Sequence, residues 1–179
     1  MTPFITAVHL SPTHSFTKQP QLQIHLIAHH GVQGDAHAGP LTQHLYLQRR
    51  NPSLPNLCQV HLLQSELLDE LHLAPGQMGE NLTTRDLDLI HLPLGTLLHI
   101  GPTAILEVTG LRSPCSQINR LQPGRKPGLM QACFLPPPAA KKQPRAGIMS
   151  IVLNGGPITP GDPIHVTLPP QPHRPLTCV

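Results

Sequence analysis

Proline and glycine set the limits on what this chain can become. Its 179 residues include 23 prolines and 14 glycines, so every apolar stretch soon meets a residue that breaks a helix or turns the backbone. A long helical bundle or coiled coil is excluded, and short strands joined by turns are the expected alternative. Aromatic residues make up 2% of the chain and hydrophobic residues 39%, which leaves the core to Leu, Ile and Val. The length suits one domain, expected over residues 1–168, with a proline-rich tail over 169–179.

Charge narrows the function classes. Twelve Lys and Arg against nine Asp and Glu give a formal charge of +3, a small excess scattered along the chain. Only Phe4, Phe16, Tyr46 and Phe134 are available for base stacking, so nucleic acid is not an expected partner. No apolar run approaches the roughly 20 residues that span a bilayer, and Met1 to Ile5 lack the basic flank of a signal peptide. The expectation is a cytoplasmic protein with no membrane partner.

Alternation of apolar and polar residues predicts strands over Phe4–Leu10, Leu22–Ala28, Val60–Leu63, Asp88–Leu92, Thr96–Ile100, Thr103–Thr109, Gly147–Leu153 and Pro163–Leu168. In the sixth of these, Ala104, Leu106 and Val108 share one face and Ile105, Glu107 and Thr109 the other, as a half-buried strand requires. Serial short strands at this spacing favour a closed or nearly closed β-barrel. One helix is predicted over Ser65–Leu71, with Ser65 as N-cap and Glu66 in the first turn. Tyr46 to Leu57 is polar and proline-broken. Pro136 to Pro138 with Lys141 and Lys142 read as a stiff, charged, mobile loop.

Four cysteines, Cys58, Cys115, Cys133 and Cys178, lie far apart without a Cys-x-x-Cys pair, and reduced thiols are the default. Cys115 alone has an informative context. The run Glu107-Val-Thr-Gly-Leu-Arg-Ser-Pro-Cys115 predicts a strand, a turn and a short helix, with Ser113 as N-cap, Pro114 at the first helical position and Cys115 at the second. A helix start beside Arg112 favours a thiolate, hence a nucleophile or a soft metal ligand. Inert packing of the thiol is the alternative. Among 13 histidines, only His29, His30 and His37 cluster, with Asp35, in a loop with three glycines between Gly31 and Gly39. Those four residues make zinc a further alternative.

Six motifs occur in order: Gly-Val-Gln-Gly-Asp-Ala-His-Ala-Gly at 31–39, Gln-Val-His-Leu-Leu at 59–63, Gly-Glu-Asn-Leu-Thr-Thr at 79–84, Leu-Pro-Leu-Gly-Thr at 92–96, the run ending at Cys115, and Ala-Gly-Ile-Met-Ser-Ile-Val-Leu-Asn-Gly-Gly at 146–156 with Pro-Gly-Asp at 160–162. Together they resemble the MOSC domain, the module found at the C-terminus of molybdenum cofactor sulfurases, in its stand-alone bacterial form. The resemblance runs from about Gly31 to Leu168.

It implies a mainly β, barrel-like fold with a few short helices, and a site for the molybdenum cofactor (molybdopterin) or a sulfur species. The key cysteine falls on Cys115, as catalytic residue and, with the cofactor bound, molybdenum ligand. Gly34, Asp35, His37, Glu80 and Asn81 fall near the site, with Arg112 beside the cysteine. Asp35 and His37 are expected to bond pterin nitrogens or relay protons, with backbone turn chemistry as the alternative for all these loop residues.

Two activities are implied. One is reduction of small N-hydroxylated substrates with electrons from a partner reductase. The other is carriage of a persulfide received from a cysteine desulfurase and delivered to a cofactor or another protein. A non-catalytic zinc or cofactor binder stands behind both. The sequence contains no desulfurase domain, so pyridoxal phosphate is not expected.

Overall fold

The computed structural model describes residues 2–136 and 143–179. Most of the Pro136–Lys142 stretch expected as a mobile loop therefore lies outside the described residues. The fold is mainly β with a few short helices. An eight-stranded sheet carries, in spatial order, β11 (Ile164–Thr167), β7 (Leu97–Ile100), β8 (Ala104–Leu111), β9 (Ile148–Asn154), β5 (Val60–Gln64), β6 (Leu82–Arg85), β1 (Phe4–Leu10) and β2 (Gln19–Gln21). A smaller sheet orders β10 (Gly156–Ile158), β3 (Ile24–Ile27) and β4 (Gly31–Val32).

The expected alternation holds in β8, where Ala104, Leu106 and Val108 are buried and Ile105, Glu107 and Thr109 half-buried. Pro20 is accommodated because β2 is an edge strand, where a missing N–H costs no ladder bond. Among the pairings between neighbours in the large sheet, β5 with β6 is the parallel one. Helix α2 (Ser65–Leu71) makes that crossover. It buries Leu67, Leu68 and Leu71 over Leu63, Met78, Ile118 and Leu129. The main core lies against the other face, with Ile5, Leu26, Leu62, Leu98, Leu106 and Ile148 fully enclosed.

The large sheet is not closed by a ladder: its β1 and β11 regions approach through a bridge between Phe4 and Pro163 and bonds such as Ile5 N to Asp162 O (2.9 Å). Three other expectations are corrected. Leu89–His91 is a 3₁₀ turn and not strand, because consecutive Leu89 and Ile90 are both buried, which one-sided strand alternation cannot achieve. Gln64, not Ser65, is the N-cap of α2, and Ser65 is its first residue. Leu45–Arg50, in the segment read as proline-broken, forms helix α1 and buries none of its residues.

The segment expected as a tail is docked. Leu111 N donates to Thr177 O (2.8 Å), Val179 N to Leu111 O (3.3 Å) and Leu94 N to Arg174 O (2.9 Å). Gly110 permits this approach, since a Cβ there would meet Thr177 O at 2.6 Å.

Candidate functional site

The glycine-containing loop after β4 is organised by Asp35. Its Oδ2 accepts bonds from Ser11 N (3.1 Å), Asn81 Nδ2 (3.1 Å) and the Lys18 ammonium, and Oδ1 accepts from His37 N (2.9 Å) and contacts His37 Nδ1 at 3.3 Å. Burial works to raise the Asp35 pKa, but the His37 and Lys18 interactions outweigh it and hold the carboxyl well below the usual carboxylate range. Lys18 is buried too, and burial pulls its ammonium pKa down against the opposing pull of Asp35. One carboxylate thus ties together the end of β1, the approach to β2, its own loop and the loop before β6.

That arrangement leaves no zinc site in the first loop. Among the described residues no three His, Cys, Asp or Glu side chains are grouped to hold a metal ion, and both carboxylate oxygens of Asp35 already have protein partners. Gly34 sits at φ +80° with open space where a Cβ would be.

Glu80 and Asn81 act in opposite directions. The Glu80 carboxyl turns inward, where Oε1 accepts from Gly76 N (2.5 Å) and Thr83 Oγ1 (3.2 Å) and Oε2 is buried without a partner. Burial raises its pKa against these bonds. Asn81 reaches toward the first loop: its Nδ2 also donates to His9 O (3.2 Å), and its Oδ1 accepts from His61 N (3.2 Å).

Strand β8 ends at Leu111 and delivers Arg112 and Cys115 to the same region. The helix after it begins two residues later than expected. A 3₁₀ helix spans Ser116–Leu121 with Cys115 itself at the N-cap position and no side-chain cap bond, so Ser113 does not cap and Cys115 is not its second residue. Ser113 and Pro114 lie between the end of β8 and the helix, Cys115 itself is extended, and the helix starts where Ile118 N closes on Cys115 O (3.3 Å). Cys115 is solvent-exposed, whereas Cys133 is fully buried.

Arg112 is the unusual group. Its guanidinium donates no hydrogen bond and forms no ion pair among the described residues, and its Nη1 is sealed from solvent. Its nearest aromatic contact is the face of Phe16, with Cζ 5.8 Å from the ring centroid. Burial lowers its pKa, opposed by the charge of nearby Cys115 and Glu80. An arginine keeps its proton in such places, so this is a fixed positive charge lacking a protein counter-ion within bonding distance.

These elements enclose a cavity of about 740 Å³. Of the residues expected at the site, Cys115, Arg112, His37 and Asn81 line it; Asp35 and Glu80 are buried outside its lining, and Gly34 is exposed outside it. Lys18, Phe16, Cys58, His61 and α1 line it as well. No aspartate or glutamate among the described residues does, against the three cations Lys18, Arg49 and Arg112. His61 is buried on β5 with Nε2 2.9 Å from Ala146 O and Nδ1 without a hydrogen-bond partner. Burial, then the charge of Arg112, holds it neutral. Burial raises the Cys58 thiol to about 11, Arg112 pulling the other way.

The signals for these additional residues were weak or indirect. His61 sits inside an otherwise apolar strand motif, which marks a buried polar group. Phe16 is one of very few aromatics. Lys18 had no local pattern, because its partner lies 17 residues away.

The MOSC domain family model matches residues 42–165, and the chain belongs to that family. Its fold is similar to that of YuaD from Bacillus subtilis, with 20% identity and a TM-score of 0.74 over 93% of this chain and 96% of that one. YiiM from Geobacillus stearothermophilus is similar at 19% identity and a TM-score of 0.62, over 92% and 75% of the two chains. YiiM from Escherichia coli is similar at 20% identity and a TM-score of 0.60, over 97% and 73%. At these identities the likeness is one of fold. Among curated proteins none matches the chain.

Proposed function

We propose that this protein binds the molybdenum cofactor through Cys115 and reduces small N-hydroxylated substrates with electrons supplied by a partner reductase. The observation that carries the reading is the presence of an exposed thiol and an unpartnered guanidinium in a cavity that no aspartate or glutamate among the described residues lines. That donor set suits the group: a soft thiolate for the metal, and a fixed cation for the anionic parts of the cofactor. Cys115 would ligate, and Arg112 would hold negative charge beside it. When bound, the cofactor supplies two-electron removal of an oxygen atom.

The chain's own residues would shape the rest. Removing the oxygen as water takes two electrons, from the reductase, and two protons. His37 lines the cavity with its Nδ1 toward Asp35, a placement suited to proton delivery at the mouth. His61, neutral and buried, contributes a polar wall. Asp35, which does not line the cavity, would orient His37 and Asn81 through its carboxylate oxygens.

Metal and pterin analysis tests the reading. Protein made in a cofactor-competent host should carry molybdenum and pterin, and Cys115→Ser should lose the metal. Absence of both from the unmodified protein, in a host that loads a known MOSC protein, would reject it.

A second reading rests on the exposure of Cys115, which would let a protein donor reach it. Here Cys115 carries a persulfide received from a cysteine desulfurase, and Arg112 stabilises the terminal sulfur anion. Mass spectrometry after incubation with a desulfurase and cysteine should find one added sulfur on Cys115. An unmodified Cys115 would count against it.

A further inference from the structure

Helix α1 belongs to an excursion of the chain that is closed at its base. Leu41 and Pro55 form an antiparallel bridge, Thr42 N donates to Leu54 O (2.8 Å) and Asn56 N to Pro40 O (3.0 Å). The Asn56 side chain pins that base to the first loop, its Nδ2 donating to His37 O (2.9 Å) and Gly39 O (3.0 Å). Beyond the base little holds the segment down. From 42 to 54 only Thr42 is buried; Gln43, Leu47 and Gln48 are half-buried and the others exposed. Gln48 spends its Nε2 on Gln43 Oε1 (3.3 Å), inside the excursion itself. Among the described residues, one hydrogen bond ties 42–54 to anything beyond the excursion and its base: His14 Nε2 to Gln43 O (3.1 Å). His14 rests edge-on against His37, with ring centroids 5.0 Å apart, and Asp35 anchors His37 in turn. Thr42 to Leu47 and Arg49 all line the cavity, so this lightly held segment is one of its walls.

We infer that residues 42–54 are a lid on the cavity, swinging on the base at Leu41 and Pro55, with His14 as its latch. A segment with few buried contacts and a single outward tether opens at low cost. Opening breaks the bond to His14 and wets little that is dry. Closing completes a wall and shields inner groups such as Cys58 and His61 from water. The base suits a hinge, because its bridge and the two Asn56 side-chain bonds are independent of the latch. The latch is firm because the Asp35 junction fixes the ring on which His14 rests. The inference concerns access to the cavity, and it holds whichever ligand the cavity takes.

Tyr46 reports on the lid directly. The chain has one tyrosine and no tryptophan, so its intrinsic fluorescence comes from α1. Arg50 Nη1 donates to the Tyr46 hydroxyl (2.8 Å), with Cζ 5.5 Å from the ring centroid, which makes the ring follow the helix. Time-resolved fluorescence anisotropy of the unmodified protein should show Tyr46 tumbling mainly with the whole molecule. His14→Ala should add a fast depolarising component. It should also speed iodoacetamide labelling of Cys58, read by peptide mapping, by roughly 3- to 10-fold, the factor expected for loss of one hydrogen bond. His14→Gln keeps a donor for Gln43 O and should label Cys58 within about two-fold of the parent. His14 is exposed, so both variants should unfold at the parent's urea concentration. An anisotropy decay that His14→Ala leaves unchanged, or equal effects of the alanine and glutamine variants, overturns the latch. Faster Tyr46 motion with an unchanged Cys58 rate overturns the lid, since the segment would then move without opening the cavity. A fall in the urea midpoint large enough to account for the Cys58 rate overturns it as well.

Discussion

Lys18 and Asp35 form a buried ion pair, their side chains 4% and 1% exposed. Removing one member leaves the other charged in a place water cannot reach, which typically costs about 3–5 kcal/mol. Asp35→Ala strips acceptors from Ser11 N, His37 N, Asn81 Nδ2 and the ammonium together, and should be destabilising by that order. Lys18→Met leaves Asp35 with its remaining donors and should cost less. Urea unfolding of the two variants checks the ranking.

His9 sets the acid side of the stability profile. It is buried, its Nδ1 has no partner, and burial with the nearby Lys18 charge lowers its pKa to about 4. An unfolded histidine takes its proton near pH 6.5, so the unfolded state binds more protons below that value. Stability is then full above about pH 6.5 and falls as the pH drops toward 4, by about 2–4 kcal/mol from this group. Chemical denaturation at stepped pH should show the slope, and His9→Gln should flatten it.

Glu80 has the opposite sign. Its folded pKa is raised, so it contributes its full stability below the carboxyl's unfolded pKa and loses it as the pH rises through the folded value. Glu80→Gln keeps an oxygen for Gly76 N and Thr83 Oγ1 and carries no charge, so near neutral pH it should stay within about 1 kcal/mol of the parent or exceed it. Glu80→Ala, which orphans the buried Gly76 N–H, should lose about 1–3 kcal/mol. Thermal or urea unfolding of the pair distinguishes them.

Cys115 should react before Cys58 and Cys133. It is exposed, whereas Cys58 is partly buried with a raised pKa and Cys133 is fully buried with its own raised to about 11. Peptide mapping after brief iodoacetamide treatment at neutral pH should place the label on Cys115 ahead of both. Arg112→Ala removes the neighbouring cation and should slow that labelling roughly 2- to 10-fold, while Cys58→Ser should leave it unchanged.

Gly147 is fixed by close approach. At φ +91° a Cβ would collide with the carbonyl oxygen of Leu62 and lie 2.9 Å from His61 Nε2. Gly147→Ala should cost about 3 kcal/mol or more by disturbing the β5–β9 seam and the His61 bond to Ala146 together, which a urea midpoint would register.

Much of the framework was legible because strand periodicity is a local signal. Phe4–Leu10 and the two faces of β8 follow from alternation alone. What failed depended on distant parts of the chain. The burial of both Leu89 and Ile90 is decided by what packs over them, and the docking of the last residues depends on the close approach that Gly110 permits. Helix α1 gave no apolar stripe to detect, since it has no buried face. At the site, the neighbourhood of Cys115 and Arg112 was readable from motif order, while the two-residue offset of the helix start was not. Asp35 and Glu80, expected near the site by motif, are buried outside the lining of the cavity, and their bonds with Lys18, Asn81 and Gly76 hold the loops that form it.

The Asp35 junction also bears on when the cavity comes into being. Its bonds span 24 residues to Ser11, 17 to Lys18 and 46 to Asn81, and the β5–β9 pair that carries His61 joins positions nearly ninety apart. Contacts of such sequence separation form late and slowly in folding. A partly folded chain would have Arg112 and Cys115 in solvent with no enclosure around them. Any ligand of this cavity then discriminates between finished and unfinished molecules, and at a hundred times its Kd would add about 2.7 kcal/mol to the native state alone. Binding would thus double as proofreading of the fold.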